Sequence, residues 1–207
     1  DTLRLDLSPA NFQGATGVTL VVMDKNGVYT GGYNLSVQRL RPVCAQLLTC
    51  GEDVKSSLAL TSQMNAYALP VQPGDRFILR SLEKVASAQL HLEFFHADGL
   101  PWVELGEVFS NGALQSKQFD FNETDTLLIV ASDAGVNHAI AEYALSVQLL
   151  RPDCAVELAC PADLSGSFSK PAQTEAFWFE VSPGQRYIIR AKATGSGFNG
   201  QFQLFTP

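Results

Sequence analysis

Apolar and polar residues alternate along several short stretches of this chain. Tyr33–Val37 and Tyr143–Val147 both place tyrosine, leucine and valine at every second position, and Leu90–Phe94 alternates in the same way. Because successive side chains of a β-strand point to opposite faces of its sheet, this period indicates half-buried strands. Pro73–Gly74 and Pro183–Gly184 provide turns between such stretches, and no stretch has the period of a three-turn amphipathic helix. The pattern therefore predicts an all-β fold of the sandwich or barrel type.

A second regularity is an internal repeat with a period of about 110 residues. The segment Tyr33–Cys44 matches Tyr143–Cys154, and Val71–Arg80 matches Val181–Arg190, at the same offset of 110 residues. Matches of this length and spacing are typical of a duplicated unit. The best-kept apolar positions of the repeat are therefore expected to lie in hydrophobic cores: Val71, Ile78, Leu92, Val181, Ile188 and Phe202.

The motifs of the repeat resemble those of the bacterial pre-peptidase C-terminal (PPC) type of β-sandwich domain. A Tyr-x-Leu-x-Val strand closes each repeat at Tyr33–Val37 and Tyr143–Val147, Pro73–Leu79 supplies a turn followed by a strand, and Phe94–Gly99 comes next. The resemblance implies tandem, antiparallel, jelly-roll-like β-sandwich repeats of the kind found in secreted and cell-surface bacterial proteins. It carries over no catalytic residues and no cofactor. Some related domains hold calcium with acidic loop residues, but a full calcium ligand set does not map onto this sequence.

The resemblance also sets the domain boundaries. In this sequence, a domain of this type would begin near the cysteine pair Cys44/Cys50 and end at the Tyr-x-Leu-x-Val strand, so that residues 44–150 make one complete sandwich. Residues 1–43 are then the back half of a domain, and residues 151–207 are the front half of another. The alternative register has two complete permuted copies, residues 1–97 and 98–207. Half domains expose unpaired strand edges and an uncovered apolar face, and the first register therefore requires something to complete them.

Composition and charge narrow the function classes. Hydrophobic residues make up 46% of the chain and charged residues 17%, which is typical of a globular protein. A net charge of −7 and a pI near 4.9 argue against nucleic acid and anionic membranes as partners. No apolar run approaches 18 residues, so no membrane span is expected. Because the sequence begins at Asp1 without an initiator methionine or a signal peptide, we expect a processed product or a piece of a longer protein.

The four cysteines form two equally spaced pairs. Cys44 and Cys50 are separated by five residues, as are Cys154 and Cys160, and no histidine lies near either pair. Zinc sites usually have closer cysteine spacing with histidine nearby. The spacing therefore favours two local disulfides, Cys44–Cys50 and Cys154–Cys160, over free buried thiols. Disulfides place the chain in an oxidising compartment, either outside the cell or on its surface.

Candidate catalytic and metal-binding residues do not form a recognisable pattern in the sequence. There is no Gly-x-Ser-x-Gly motif for a nucleophilic serine. The histidines are His91, His96 and His138, and the first two are five residues apart, so on one strand they face opposite sides and cannot share a metal ion. Trp102 and Trp178 are interpreted as core or interface residues rather than as platforms for sugars. We therefore expect no catalytic site, no metal site and no enzymatic activity.

Two functions remain. The first is a self-assembling subunit of a cell-surface or filamentous structure, a homo-oligomer or polymer in which residues 151–207 of one copy and residues 1–43 of the next complete a sandwich by strand addition. The second is an accessory module of a secreted hydrolase that binds carbohydrate or protein. The first function predicts an assembly interface formed by apolar residues near both ends of the sequence: Leu3, Leu5, Leu7, Phe202, Leu204 and Phe205.

Overall fold

The secondary structure is almost entirely β. The computed structural model describes residues 5–7, 18–23, 25, 28, 30–60, 62–83, 89–135, 142–159, 161–192, 200–201 and 203–205. Within these residues, three-residue 3₁₀ turns lie at Pro42–Cys44, Val103–Leu105 and Pro152–Cys154. The strands are β1 (Gln46–Leu47), β2 (Glu52–Ser56), β3 (Met64–Val71), β4 (Arg76–Glu83), β5 (Leu90–Phe95), β6 (Val108–Ser110), β7 (Gln115–Asp120), β8 (Asp125–Asp133), β9 (Tyr143–Leu149), β10 (Val156–Glu157) and β11 (Phe177–Trp178).

Strands β1 to β9 form two sheets that pack face to face. The first sheet has the order β1-β3-β8-β5-β6 and the second the order β2-β9-β4-β7. All pairings in these sheets are antiparallel except that of β1 with β3, which is parallel. From β2 to β5, and again from β6 to β9, the chain passes from one sheet to the other at each connection. The predicted all-β sandwich is confirmed.

The core lies between the two sheets. Alternate residues of β3, β5 and β8 meet alternate residues of β4, β7 and β9 in one apolar cluster. At its centre the ring of Phe77 stacks on those of Phe119 and Phe121, with centroids 4.8 and 5.4 Å away. Val71 and Leu92 belong to this cluster, as the alternation predicted. Ile78 is also buried, but it lies outside the cluster, on the face of β4 opposite to that of Phe77 and Leu79.

A Pro-Gly turn joins the two sheets between β3 and β4. Gly74 has a φ of +85°, a conformation that favours glycine, and its N–H donates to the carbonyl of Phe121 at 2.8 Å. The buried Asp75 carboxylate accepts from the N–H of Gln72 at 2.8 Å and pairs with Arg151 at 3.1 Å. The turn is therefore tied both to the end of β7 and to the segment that leaves β9.

The region after β9 repeats the contacts of the region before β2. Strand β10 pairs in parallel with β11, and the residues paired lie 110 positions after those that join β1 to β3. The hydrogen bond from Leu48 N to Ala68 O, at 2.8 Å, recurs from Leu158 N to Trp178 O at 2.7 Å. Residues 179–192, like residues 18–23 and 30–40 before the sandwich, carry no strand or helix. Among the residues that the structure describes, no helix is long and apolar enough to cross a membrane.

Candidate functional site

The Tyr-x-Leu-x-Val motif has opposite environments in its two copies. In β9, Tyr143, Leu145 and Val147 are 0, 1 and 0% exposed, inside the sandwich core. Their equivalents 110 residues earlier, Tyr33, Leu35 and Val37, are 69, 54 and 82% exposed. The motif that contributes three side chains to the sandwich core therefore exposes the same three residue types to solvent in its earlier copy.

The segment after the sandwich behaves in the same way. Val71 and Ile78 are buried, whereas their equivalents Val181 and Ile188 are 66 and 88% exposed. The prediction that Val181 and Ile188 lie in a core is therefore wrong for this chain on its own, because no second sheet among the described residues packs against the segment that carries them. Phe202 lies outside the described residues. Two segments with exposed apolar side chains are thus accessible, one before the sandwich in the sequence and one after it.

The predicted assembly residues near the ends of the sequence are accessible where they are described. Leu5, Leu7 and Leu204 are exposed, and Phe205 is partly buried. Leu3 and Phe202 lie outside the described residues. Exposure makes these side chains available for an interface, and their part in assembly stays a prediction.

The cysteines pair differently from the expected pattern. Cys50, just before β2, is bonded to Cys154, just after β9, across 104 residues of sequence. Cys44 is a free and exposed thiol, so the local pair Cys44–Cys50 is wrong, and Cys154 has its partner in Cys50 rather than in Cys160, which lies outside the described residues. The physical reason is the sheet: β2 pairs with β9, which brings the chain before β2 next to the chain after β9. A disulfide fits the predicted oxidising compartment.

One end of the sandwich carries a cleft of about 430 Å³ lined by polar and aromatic residues. His96 follows β5, Asp125 begins β8, and Glu123 lies in the loop before it. The His96 Nδ1 atom is 2.7 Å from Asp125 Oδ2 and 3.6 Å from Glu123 Oε1. The lining residues are His96, Trp102, Glu104, Leu105, Asp120, Asn122 and Glu123.

A second histidine cluster lies on the outer face of the five-stranded sheet. His91 Nε2 is 3.1 Å from Glu107 Oε2, and His91 Nδ1 is 4.0 Å from Glu93 Oε2. The ring also stacks on Phe109, with centroids 4.3 Å apart. His91 and His96 thus belong to separate clusters. His91 Nε2 and His96 Nδ1 each meet a carboxylate oxygen.

Trp102 packs in the core and does not present a platform for a sugar. Its ring is buried and belongs to the sandwich core. One face stacks on His96 at 4.1 Å, and Phe121 meets it edge to face at 5.1 Å. A sugar platform needs an exposed aromatic face, so core packing is the role that these contacts give to Trp102. Trp178 lies in β11 and is partly buried.

The chain shows a likeness to solved structures. No protein-family model matches the chain, and no curated protein matches it. Among solved structures, it is similar to the crystal structure of the pre-peptidase C-terminal domain of a collagenase from Bacillus anthracis, with 16% sequence identity and a TM-score of 0.40. The match covers 56% of this chain and 100% of that one.

Proposed function

We propose that this chain is a non-catalytic, extracellular structural module of PPC-like sandwich repeats that assembles head to tail. In this arrangement residues 44–150 are one complete sandwich. Residues 151–207 of one copy and residues 1–43 of the next form a second, composite sandwich. A contact of this kind uses different surfaces on the two partners, and it propagates into a filament unless the rotation between copies closes a ring.

The observation that carries the proposal is the exposure of Tyr33, Leu35 and Val37. Burying an aliphatic or aromatic side chain of this size is favourable by about 1.5–3 kcal/mol, so three of them on one strand-forming segment provide a strong driving force. Val181 and Ile188, which follow the sandwich in the sequence, supply a second exposed apolar surface. Strand addition between the two segments would bury both surfaces and pair their free backbone groups.

The complete sandwich gives the register of the proposed junction. There, Leu79 of β4 lies opposite Val147 of β9. The residues 110 positions away are Ile189 after it and Val37 before it, and both are exposed. In the composite sandwich, Ile189 of one copy would therefore lie opposite Val37 of the next.

The disulfide supports the same junction. The bond Cys50–Cys154 joins the second cysteine of one repeat to the first cysteine of the following one. The equivalent bond at a composite sandwich would join Cys160 of one copy to Cys44 of the next, and Cys44 is a free, exposed thiol. Formation of that bond releases two protons and two electrons, which oxidised glutathione can accept by thiol–disulfide exchange.

The experiment is sedimentation velocity and electron microscopy of the purified chain at micromolar concentration. The unmodified chain should form polymers, and Val37→Asp should reduce them to monomers, because a carboxylate cannot enter an apolar core without a large cost. Val103→Asp is the matched control, since Val103 is equally exposed but lies on the complete sandwich. Near-ultraviolet circular dichroism should be unchanged in both variants.

The covalent link is tested separately. With oxidised glutathione, non-reducing electrophoresis should give a ladder of multimers that Cys44→Ser abolishes. A stable monomer in sedimentation, an assembly that Val37→Asp leaves intact, or a Cys44–Cys160 bond inside a monomer would each overturn the head-to-tail proposal.

A further inference from the structure

We propose that His96, Glu123 and Asp125 form a binding site for a divalent transition-metal ion of the zinc class. The three side chains come from the end of β5, the loop after β7 and the start of β8, and they offer one nitrogen and two oxygen atoms. These ligand atoms all lie within 4.8 Å of one another. This assignment is independent of the proposed assembly.

The spacing of the ligand atoms suits a small ion. Zinc binds histidine nitrogen at about 2.0–2.1 Å and carboxylate oxygen at about 2.0–2.2 Å in tetrahedral geometry, which separates neighbouring ligand atoms by roughly 3.3 Å. His96 Nδ1 lies 3.6 Å from Glu123 Oε1 and 2.7 Å from Asp125 Oδ2. Adjustments of well under 1 Å therefore bring these contacts to the required separation.

Two of the three ligands are held in place by neighbouring groups. The other oxygen of Asp125, Oδ1, accepts from Thr126 N at 2.6 Å and from Ala97 N at 3.3 Å, which leaves Oδ2 directed at His96. The His96 ring stacks on Trp102, with an angle of 14° between the planes. Contacts of this kind orient ligands in metal sites and raise affinity, because less freedom is lost when the ion binds.

The surroundings favour a cation and leave a way in. Glu104 and Asp120 line the same cleft as Glu123, so the field at the site is negative. Asp120 is paired with Arg76 at 2.7 Å, whereas Glu123 is 57% exposed at the mouth of the cleft. The fourth coordination position would therefore face solvent and take a water molecule.

The donor set selects the class of ion. Calcium and magnesium take oxygen ligands, whereas imidazole nitrogen together with carboxylate oxygen suits zinc and its neighbours. The cluster of His91, Glu93 and Glu107 is a weaker candidate. Its two carboxylates approach different nitrogens of the ring, and one ion can use only one nitrogen.

The test is isothermal titration calorimetry of the chelator-treated full chain with zinc chloride at pH 7.5. All proteins carry Cys44→Ser and Cys160→Ser, because a free thiol also binds zinc and Cys160 is the partner proposed for Cys44. One saturable site is expected. His96→Gln and Glu123→Gln should each weaken binding at least tenfold, while His91→Gln should leave the dissociation constant within twofold.

Two further measurements guard against indirect effects. Cobalt(II) in place of zinc should give the visible absorption of a tetrahedral site, and His96→Gln should abolish it. Because Glu123 is exposed, Glu123→Gln should leave the melting temperature of the metal-free protein unchanged, so lost binding in that variant cannot come from misfolding. The assignment is wrong if zinc shows no saturable binding up to millimolar concentration, or if His91→Gln weakens binding and His96→Gln does not.

Discussion

The hydroxyl groups of Tyr67 and Tyr143 lie 2.5 Å apart and join the two sheets across the core. Tyr143 also accepts a hydrogen bond from the Asn65 side chain at 2.9 Å. Tyr143→Phe removes the group shared by both partners and should lower the free energy of unfolding by about 1–3 kcal/mol. Tyr67→Phe keeps the Asn65 bond and should cost less, about 0.5–1.5 kcal/mol. Urea denaturation measures both, and equal costs would contradict the network.

The same pair predicts a loss of stability at alkaline pH. Burial, and then the neighbouring Tyr143, raise the pKa of Tyr67 well above its usual value. Above pH ~10 the unfolded chain releases this proton while the folded chain keeps it. The free energy of unfolding should therefore fall as pH rises through this range, by up to about 1.4 kcal/mol per pH unit from this residue.

The pH effect can be isolated by comparing two proteins. The free energy of unfolding, measured by urea denaturation at pH values from 9 to about 11.5, should fall more steeply with pH for the chain with Tyr67 than for Tyr67→Phe. Both should carry Cys44→Ser and Cys160→Ser, so that neither thiol can attack the Cys50–Cys154 disulfide. Parallel curves would show that Tyr67 ionises equally in the folded and unfolded states.

The disulfide should contribute substantially to the stability of the sandwich. Cys50–Cys154 closes a loop across 104 residues, and removal of a native bond of this kind typically costs about 2–5 kcal/mol. The double variant Cys50→Ser/Cys154→Ser should unfold at correspondingly lower urea concentration. Cys44→Ser, the control, should not change the midpoint. Peptide mapping without reduction should recover the Cys50–Cys154 pair, and a Cys44–Cys50 peptide would contradict the structure.

Equivalent core positions of the repeat should respond differently to truncation. Leu79 is buried in β4, whereas its equivalent Ile189 is exposed. In unassembled protein, Leu79→Ala should cost about 2–5 kcal/mol, and Ile189→Ala should stay within about 0.5 kcal/mol. A large cost for Ile189→Ala in a monomer would mean that residues 179–192 are packed in a core of their own.

Local alternation was enough to predict the sandwich, and it failed where burial depends on distant partners. Leu92 lies in the core because β5 pairs with β8 and the second sheet covers it. Val181 has the same local pattern as the core residue Val71, but no second sheet among the described residues covers it. Side-chain alternation thus identifies an apolar face, while the presence of a partner decides whether that face is buried.

The cysteine pairing and the His96 cluster were missed for a related reason. Four cysteines allow three connectivities, and equal local spacing does not choose among them. The pairing of β2 with β9 determines which cysteines meet, and the sequence did not predict that pairing. His96 and Asp125 are brought together by the antiparallel pairing of β5 with β8. An available signal was the presence of two acidic residues, Glu123 and Asp125, around the start of one strand and of a histidine directly after another.

The bond between Cys50 and Cys154 also has a mechanical consequence. A pulling force that enters before Cys50 and leaves after Cys154 passes through the two sulfur atoms and bypasses the chain between these cysteines, which are 104 positions apart in sequence. Released, that length of chain would extend by roughly 350 Å at about 3.4 Å per residue. While the bond is intact, strands β2 to β9 carry none of this tension, and the two ends of the loop stay 5.3 Å apart, the distance between the Cys50 and Cys154 Cα atoms. Reduction would turn this stiff link into an extensible one.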